Sequence, residues 1–198
     1  MQQISMPRPD TKAEIIRVAT DLLAEGGPSA LTFDAIAARI GKSKQAVLYW
    51  FPSKPHLLGS ITIPALTAEA ACLSPPAKSK LNAATAIREL AAFHLSDLDR
   101  FRLVYVSPQS GALRSNENSL EEVTQRVNQV TSALYDQLAE CLRIDCPGLS
   151  EADARQDAMI LHTSVLGLIL MIAMAETIGD PLKHTSQALI ERLAARYS

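Results

Sequence analysis

The sequence predicts an all-α protein, with an N-terminal three-helix helix-turn-helix domain ahead of a larger C-terminal helical domain. Three observations predict it. Apolar residues recur three and four positions apart in segment after segment, the period of a helix face. No stretch alternates apolar and polar residues as a half-buried strand would. The composition, 47% hydrophobic but only 5% aromatic, suits helices packed through Leu, Ile, Val and Ala. At 198 residues the chain is long enough for one large or two small helical domains.

Residues 1–10 read as a disordered arm, because Met1 to Pro9 holds no apolar core and hence no secretory signal. The first helix runs from Thr11 to Gly26, with Ile15, Ala19, Leu22 and Leu23 on one face. Thr32 then caps a second helix, Phe33 to Ile40, in which Phe33, Ile36, Ala37 and Ile40 recur at helical spacing. Gly41 stops that helix where a left-handed residue is cheap, and Ser43 caps the third, Ser43 to Trp50. In the third helix Val47, Leu48 and Phe51 face inward, leaving Lys44, Gln45 and Tyr49 outward. A fourth helix runs from Lys54 towards Ala71, with a kink expected at Pro64. The domain boundaries expected are 11–56 and 57–198.

Leu73-Ser74-Pro75-Pro76 is the clearest break. From Lys78 onward Leu81, Ile87, Ala91, His94 and Leu98 trace one face of a fifth helix. A short helix containing Phe101, Val104 and Tyr105 precedes a second break at Ser107-Pro108-Gln109-Ser110-Gly111. Leu120, Val123, Val127, Val130, Leu134, Leu138 and Cys141 then mark a strongly amphipathic helix. Cys146-Pro147-Gly148 ends it, and Ser150 with Asp153 caps the next. Ala158 to Ala175 is apolar nearly all round, yet short of the roughly 20 residues a membrane span needs. His162, Thr163 and Ser164 interrupt it, and no basic flank or aromatic belt frames it. The expectation is a helix buried between protein layers, with no membrane partner. Glu151 to Ile178 and Pro181 to Arg196 then form a hairpin with more apolar surface than one protomer can bury. Two copies packed as a four-helix bundle would cover it.

Net charge is −2, which alone argues against nucleic acid, but its distribution differs along the chain. Up to Ser60 there are seven Lys/Arg and five Asp/Glu; from totals of 19 and 21 that leaves 12 and 16 beyond it. A slightly positive N-terminal part and a negative remainder suit a DNA face made of a few placed cations. The three cysteines, Cys72, Cys141 and Cys146, match no C-x-x-C or metal-ligand spacing and read as buried or inert thiols of a reducing cytoplasm. No G-x-S-x-G, H-E-x-x-H, P-loop or dinucleotide fingerprint is present, and His56, His94, His162 and His184 lie far apart. No catalytic residue, metal ligand set or cofactor is expected, and the protein is not read as an enzyme.

The stretch Thr32 to Lys54, TFDAIAARIGKSKQAVLYWFPSK, is the most telling. A helix, a tight turn and a second helix with basic and amide side chains near its start suit the DNA major groove. Lys44 and Gln45 are the choice for base-edge contacts, since lysine accepts guanine as partner and glutamine adenine. Thr32, Ser43, Tyr49, Lys54 and Lys42 are candidates for phosphate contacts. The same stretch resembles the N-terminal domain of TetR-type transcriptional regulators, in the pattern T-x-x-x-I-A-x-x-x-G-x-S followed by Tyr49, Phe51, Ser53 and Lys54. Ala13 to Gly26 resembles that family's first helix, and Ser53 to Leu58 the start of its fourth. Lys42, Leu48 and Trp50 depart from the family's usual residues.

The resemblance implies a cytoplasmic homodimer, most often a repressor, bound to a palindromic double-stranded DNA operator and released by a small molecule. It implies an effector cavity within the middle helices, for which His94, Phe101, Tyr105 and His162 are the best polar or aromatic lining. Few charges fall on those inward faces, so a largely apolar effector is expected. The C-terminal hairpin implies a dimer interface through Leu166, Leu170, Leu189 and Leu193. The alternative is a helical DNA-binding dimer without a ligand, controlled by a protein partner.

Overall fold

A computed structural model describes residues 10–74, 81–106, 117–178 and 184–197. The N-terminal arm and the prolines at 75, 76, 108 and 181, which figured in the expected breaks, lie outside the described residues. Among the described residues all regular structure is helical. The contacts group the chain into two units, Met1–Ile63 with Arg102–Gln125, and Pro64–Phe101 with Arg126–Ser198.

In the first unit, α1 (Thr11–Ala30) begins at Asp10, whose carboxylate accepts the Lys12 N–H at 3.0 Å. The expected end at Gly26 is where regular helix stops: Gly27 takes φ 65°, and Pro28 restarts a single turn. Both expected caps form. Thr32 accepts the Ala35 N–H at 3.0 Å ahead of α2 (Phe33–Arg39), and Ser43 accepts the Ala46 N–H at 3.2 Å ahead of α3 (Lys44–Trp50). These hydroxyls satisfy amides that the first helical turn leaves without carbonyl partners.

Ile15, Val18, Ala19, Leu22 and Leu23 of α1 close on Ile36, Ala37, Val47 and Phe51. Leu57, Leu58 and Ile61, from the first half of α4 (Lys54–Cys72), complete this core. It sets the angle at which α3 is presented. Between α2 and α3, Gly41 sits at φ 64°, where a side chain is disfavoured. A Cβ added there meets no atom within 4 Å, so the cost of substitution is that of the backbone alone. Gly41→Ala is therefore expected to lose roughly 1 kcal/mol. In thermal unfolding that corresponds to a Tm lower by about 2–4 °C. Elsewhere in this unit Gly59 lets the start of α7 (Glu117–Asp145) come close: an added Cβ would meet a Val123 methyl at 3.0 Å.

α4 continues as helix through Pro64, so the expected kink does not end it. The missing proline N–H removes one bond, and the Ser60 and Thr62 hydroxyls donate back to the carbonyls of His56 and Leu58 just before it. The division between the units falls between Ile63 and Pro64.

The second unit is built on α5 (Ala83–Leu95), capped by Asn82 and lined by buried Ala83, Ala84, Ala86 and Ala91 beside Ile87 and Leu90. Small side chains let α8 (Glu151–Ile178) and α9 (Ser186–Ala194) approach it. Arg88 of α5 forks onto the Glu191 carboxylate of α9 at 2.8–3.1 Å, and that pairing holds the carboxyl below its usual range. After α5 come α6 (Leu98–Phe101) and a π-helical turn, Arg102–Val106. Ser150 accepts the Asp153 N–H at 3.1 Å at the head of α8, as its sequence suggested.

α8 corrects one expectation. It is apolar but not buried on every side. Ala158, Leu161, Val165, Ile169 and Ile172 face the core, whereas Met159, Ile160, Leu170, Met171 and Met174 are exposed. By length and composition alone this helix could cross a membrane.

Candidate nucleic-acid interface and a buried carboxylate–histidine cluster

Lys44, Gln45 and Tyr49 are exposed on α3, with Tyr49 at 81%. Val47 and Phe51 anchor the opposite face in the core, and Leu48 is half-buried. Tyr49 and Trp50 pack edge to face with ring centres 5.5 Å apart, which places two amphipathic rings beside the outward polar residues. The Thr32 and Ser43 hydroxyls, although used as acceptors in capping, keep a proton each to donate to phosphate. Lys42 is exposed.

Two of the cations are already engaged, which the sequence did not show. Lys44 Nζ donates to Asp34 Oδ2 of α2 at 2.8 Å, so it must leave that carboxylate to reach a base. Lys54 is half-buried and its Nζ donates to the Pro28 carbonyl at 3.3 Å, bracing α4 against the end of α1. Arg39 of α2 is paired with Glu25 of α1, and that hydrogen bond depresses the Glu25 carboxyl. The exposed Lys44–Asp34 pair contributes at most about 1 kcal/mol. Asp34→Asn should release Lys44 and remove an anion beside the exposed face of α3. An increase in DNA affinity of up to about fivefold is expected, read by fluorescence anisotropy at fixed salt.

In the second unit, three helices bring Glu69, His94 and His162 together, each at most 4% exposed. His94 Nε2 and His162 Nε2 both lie 2.9 Å from the same oxygen, Glu69 Oε1. Behind His162, the Tyr135 hydroxyl of α7 lies 3.4 Å from Nδ1. Around His94, the Phe93 and Phe101 rings pack edge to face at 5.3 Å. Of the four residues expected to line an effector cavity, His94, Phe101 and His162 thus meet around Glu69. Tyr105 belongs to the π-helical turn grouped with the other unit.

Glu69 was missed: it is an acid on an inward face where few charges were expected. The signal was present: Glu69 lies three residues after Leu66 and four before buried Leu73, on the inward face of α4. A carboxylate out of water needs donors, and two imidazoles supply them. Its charge is felt nearby. The Tyr135 hydroxyl is raised by burial and then by Glu69, and the Cys72 thiol is pushed up to about 12 by burial, then Glu69 and Glu89. Burial and Asp145 raise Cys141 to about 11. Cys141 is buried, Cys72 half-buried and Cys146 exposed. Nor did spacing reveal a ligand set: Glu69, His94 and His162 are 25 and 93 residues apart by pair, and only the fold assembles them.

The family profile described as "Bacterial regulatory proteins, tetR family" matches residues 15–61, from α1 through the reading helix into α4. Over that stretch, 47 of 198 residues, the chain is similar to TetR-family regulators. None of the curated proteins matches it. Among solved structures, a protein described as regulatory, SCO4313, superposes with TM-score 0.75 at 21% identity, covering 97% of this chain and 98% of that one. A TetR transcriptional regulator from Legionella pneumophila gives 0.63 at 19%, covering 96% and 98%. FadR of Bacillus subtilis in complex with stearoyl-CoA gives 0.65 at 18%, covering 92% and 95%. At these identities the shared property is the fold.

An apolar stripe on α8 is exposed. Leu170 is exposed on that stripe, while Leu166, Leu189 and Leu193 are half-buried. Met171, Ile160 and Met159, all more exposed than Leu170, were not among the expected interface residues.

Proposed function

We propose that this protein is a homodimeric repressor that reads a palindromic operator through α3 and leaves it when a small molecule occupies its second unit. The observation that carries the DNA-reading part is the outward set Lys44, Gln45 and Tyr49 on a short helix held by a buried core. Lys44 and Gln45 contact base edges; Thr32, Lys42, Ser43 and Tyr49 contact phosphate. Lys54 contributes to the phosphate set only if it exchanges the Pro28 carbonyl for DNA. Two readers related by a two-fold axis require half-sites about 34–36 Å apart, or multiples of it. The protein acts in the cytoplasm, and its role is regulatory rather than catalytic.

The effector argument changes with Glu69. FadR of Bacillus subtilis, in complex with stearoyl-CoA, supports the idea that the fold accommodates a long apolar ligand. Here a buried carboxylate and two imidazoles add a polar centre, so the effector carries a group that binds such a centre. A coupling of about 1–3 kcal/mol between the two sites would change operator affinity by roughly 5–150-fold.

Selection of bound sequences from a random duplex pool tests the reading. An enriched palindrome with half-sites one or two helical turns apart is the expected result. Recovery of sequences no different from the starting pool, by folded dimer, would sink it.

A further inference from the structure

We propose that Glu69, His94 and His162 form a binding site for one divalent transition-metal ion of the zinc class. Glu69 Oε1, His94 Nε2 and His162 Nε2 are the ligand atoms, all within 4.8 Å of one another. Each comes from a different helix, α4, α5 and α8. Two imidazoles and a carboxylate are a ligand set zinc accepts, with metal–ligand distances of about 2.0–2.2 Å. In tetrahedral coordination such ligands stand about 3.3–3.5 Å apart. The two 2.9 Å separations from Glu69 Oε1 need to open by a few tenths of an ångström, and the two histidine nitrogens lie within 4.8 Å of each other.

The donor chemistry favours the ion. A carboxylate and two imidazoles, buried side by side, offer an anion and two nitrogen lone pairs to a cation. A divalent cation on the two Nε2 atoms requires each neutral ring to carry its single proton on Nδ1: the proton leaves Nε2 for solvent and one is taken up at Nδ1, with no net release. For His162 that reverses the hydrogen bond at Tyr135: the hydroxyl now accepts the Nδ1 proton, the outer support usual for a metal-bound histidine. His94 is held in orientation by Phe93 and Phe101 at its ring edges. Three protein ligands leave a coordination position for water or an exogenous donor. The ion would fix the end of α4 to α5 and α8. The proposal does not depend on the operator reading.

The test uses the full chain, freed of metal with a chelator and titrated with Co²⁺ or Zn²⁺ alone. One Co²⁺ per chain with visible d–d bands of a four-coordinate N/O site is expected, displaced by Zn²⁺. His162→Gln and His94→Gln should each weaken binding at least about tenfold, and Tyr135→Phe about tenfold, as for lost outer support. His56→Gln, which alters the exposed His56–Glu122 pair instead, should leave it unchanged. If the buried variants do not fold, ¹⁵N spectra of the wild-type histidines decide. Zn²⁺ must shift the His94 and His162 Nε2 resonances and leave those of His184 in place. Absence of those shifts, or binding that survives loss of both histidines, overturns the proposal.

Discussion

Lys44→Ala together with Gln45→Ala is expected to weaken operator binding by about 30-fold to 10⁴-fold. Each good bidentate contact to a base edge is worth about 1–3 kcal/mol, and the two residues would read different base pairs. The two halves of the variant should not be equivalent. Loss of Gln45 removes a base contact and little else. Loss of Lys44 also leaves Asp34, its partner at 2.8 Å, unpaired on the same side of the domain, where it repels phosphate. Restoring neutrality with Asp34→Asn in the double variant should therefore recover part of the loss without recovering sequence preference. Neither residue packs in the core, so the helical content and Tm should stay near those of the parent. The measurement is anisotropy on operator and on scrambled duplex in parallel. Operator affinity within threefold of the parent would remove α3 as the reader.

Most of the first unit was legible in the sequence, because short-range physics decides it. Thr32, Gly41 and Ser43 act within a turn of their own positions, and each does in the structure what its local pattern required. The inward faces of the first three helices follow from a 3.6-residue period. What the sequence hid is pairing over distance. Asp34 with Lys44 and Pro28 with Lys54 are ten and 26 residues apart, and no periodicity joins them. The second unit makes the point more strongly. His94 and His162 were visible as histidines on apolar faces, but a histidine on such a face has the same pattern whether its partner is a backbone carbonyl or a carboxylate. Glu69 stands at helical spacing from Leu66 and Leu73, but spacing does not say which distant residues will meet an inward acid. Likewise the mean composition of α8 suggested burial all round. Which side stays open depends on what α5 and α9 cover, and that is a tertiary property.

In the dimer proposed above, Met171→Glu is expected to give monomer at micromolar concentration. Met171 is 63% exposed in the single chain and is flanked by Ile160, Leu170 and Met174, also exposed. Such a stripe is stable in water only when a partner covers it, and a two-fold interface brings each residue in twice. One substitution therefore places two carboxylates in the apolar centre. Burying a charge without a partner costs several kcal/mol per ion, so the dimer constant should weaken by at least about a hundredfold. Because the side chain is largely exposed within one chain, the monomer's own fold should persist, with far-UV helicity kept. Sedimentation velocity reads the association state. The same variant separates two sources of operator affinity. Binding to an isolated half-site should be unchanged, while the advantage of the full palindrome over the half-site should vanish, since that advantage arises from linking two readers. A dimer that persists would place the interface away from this face of α8, and the exposed methionines would then need another partner to cover them.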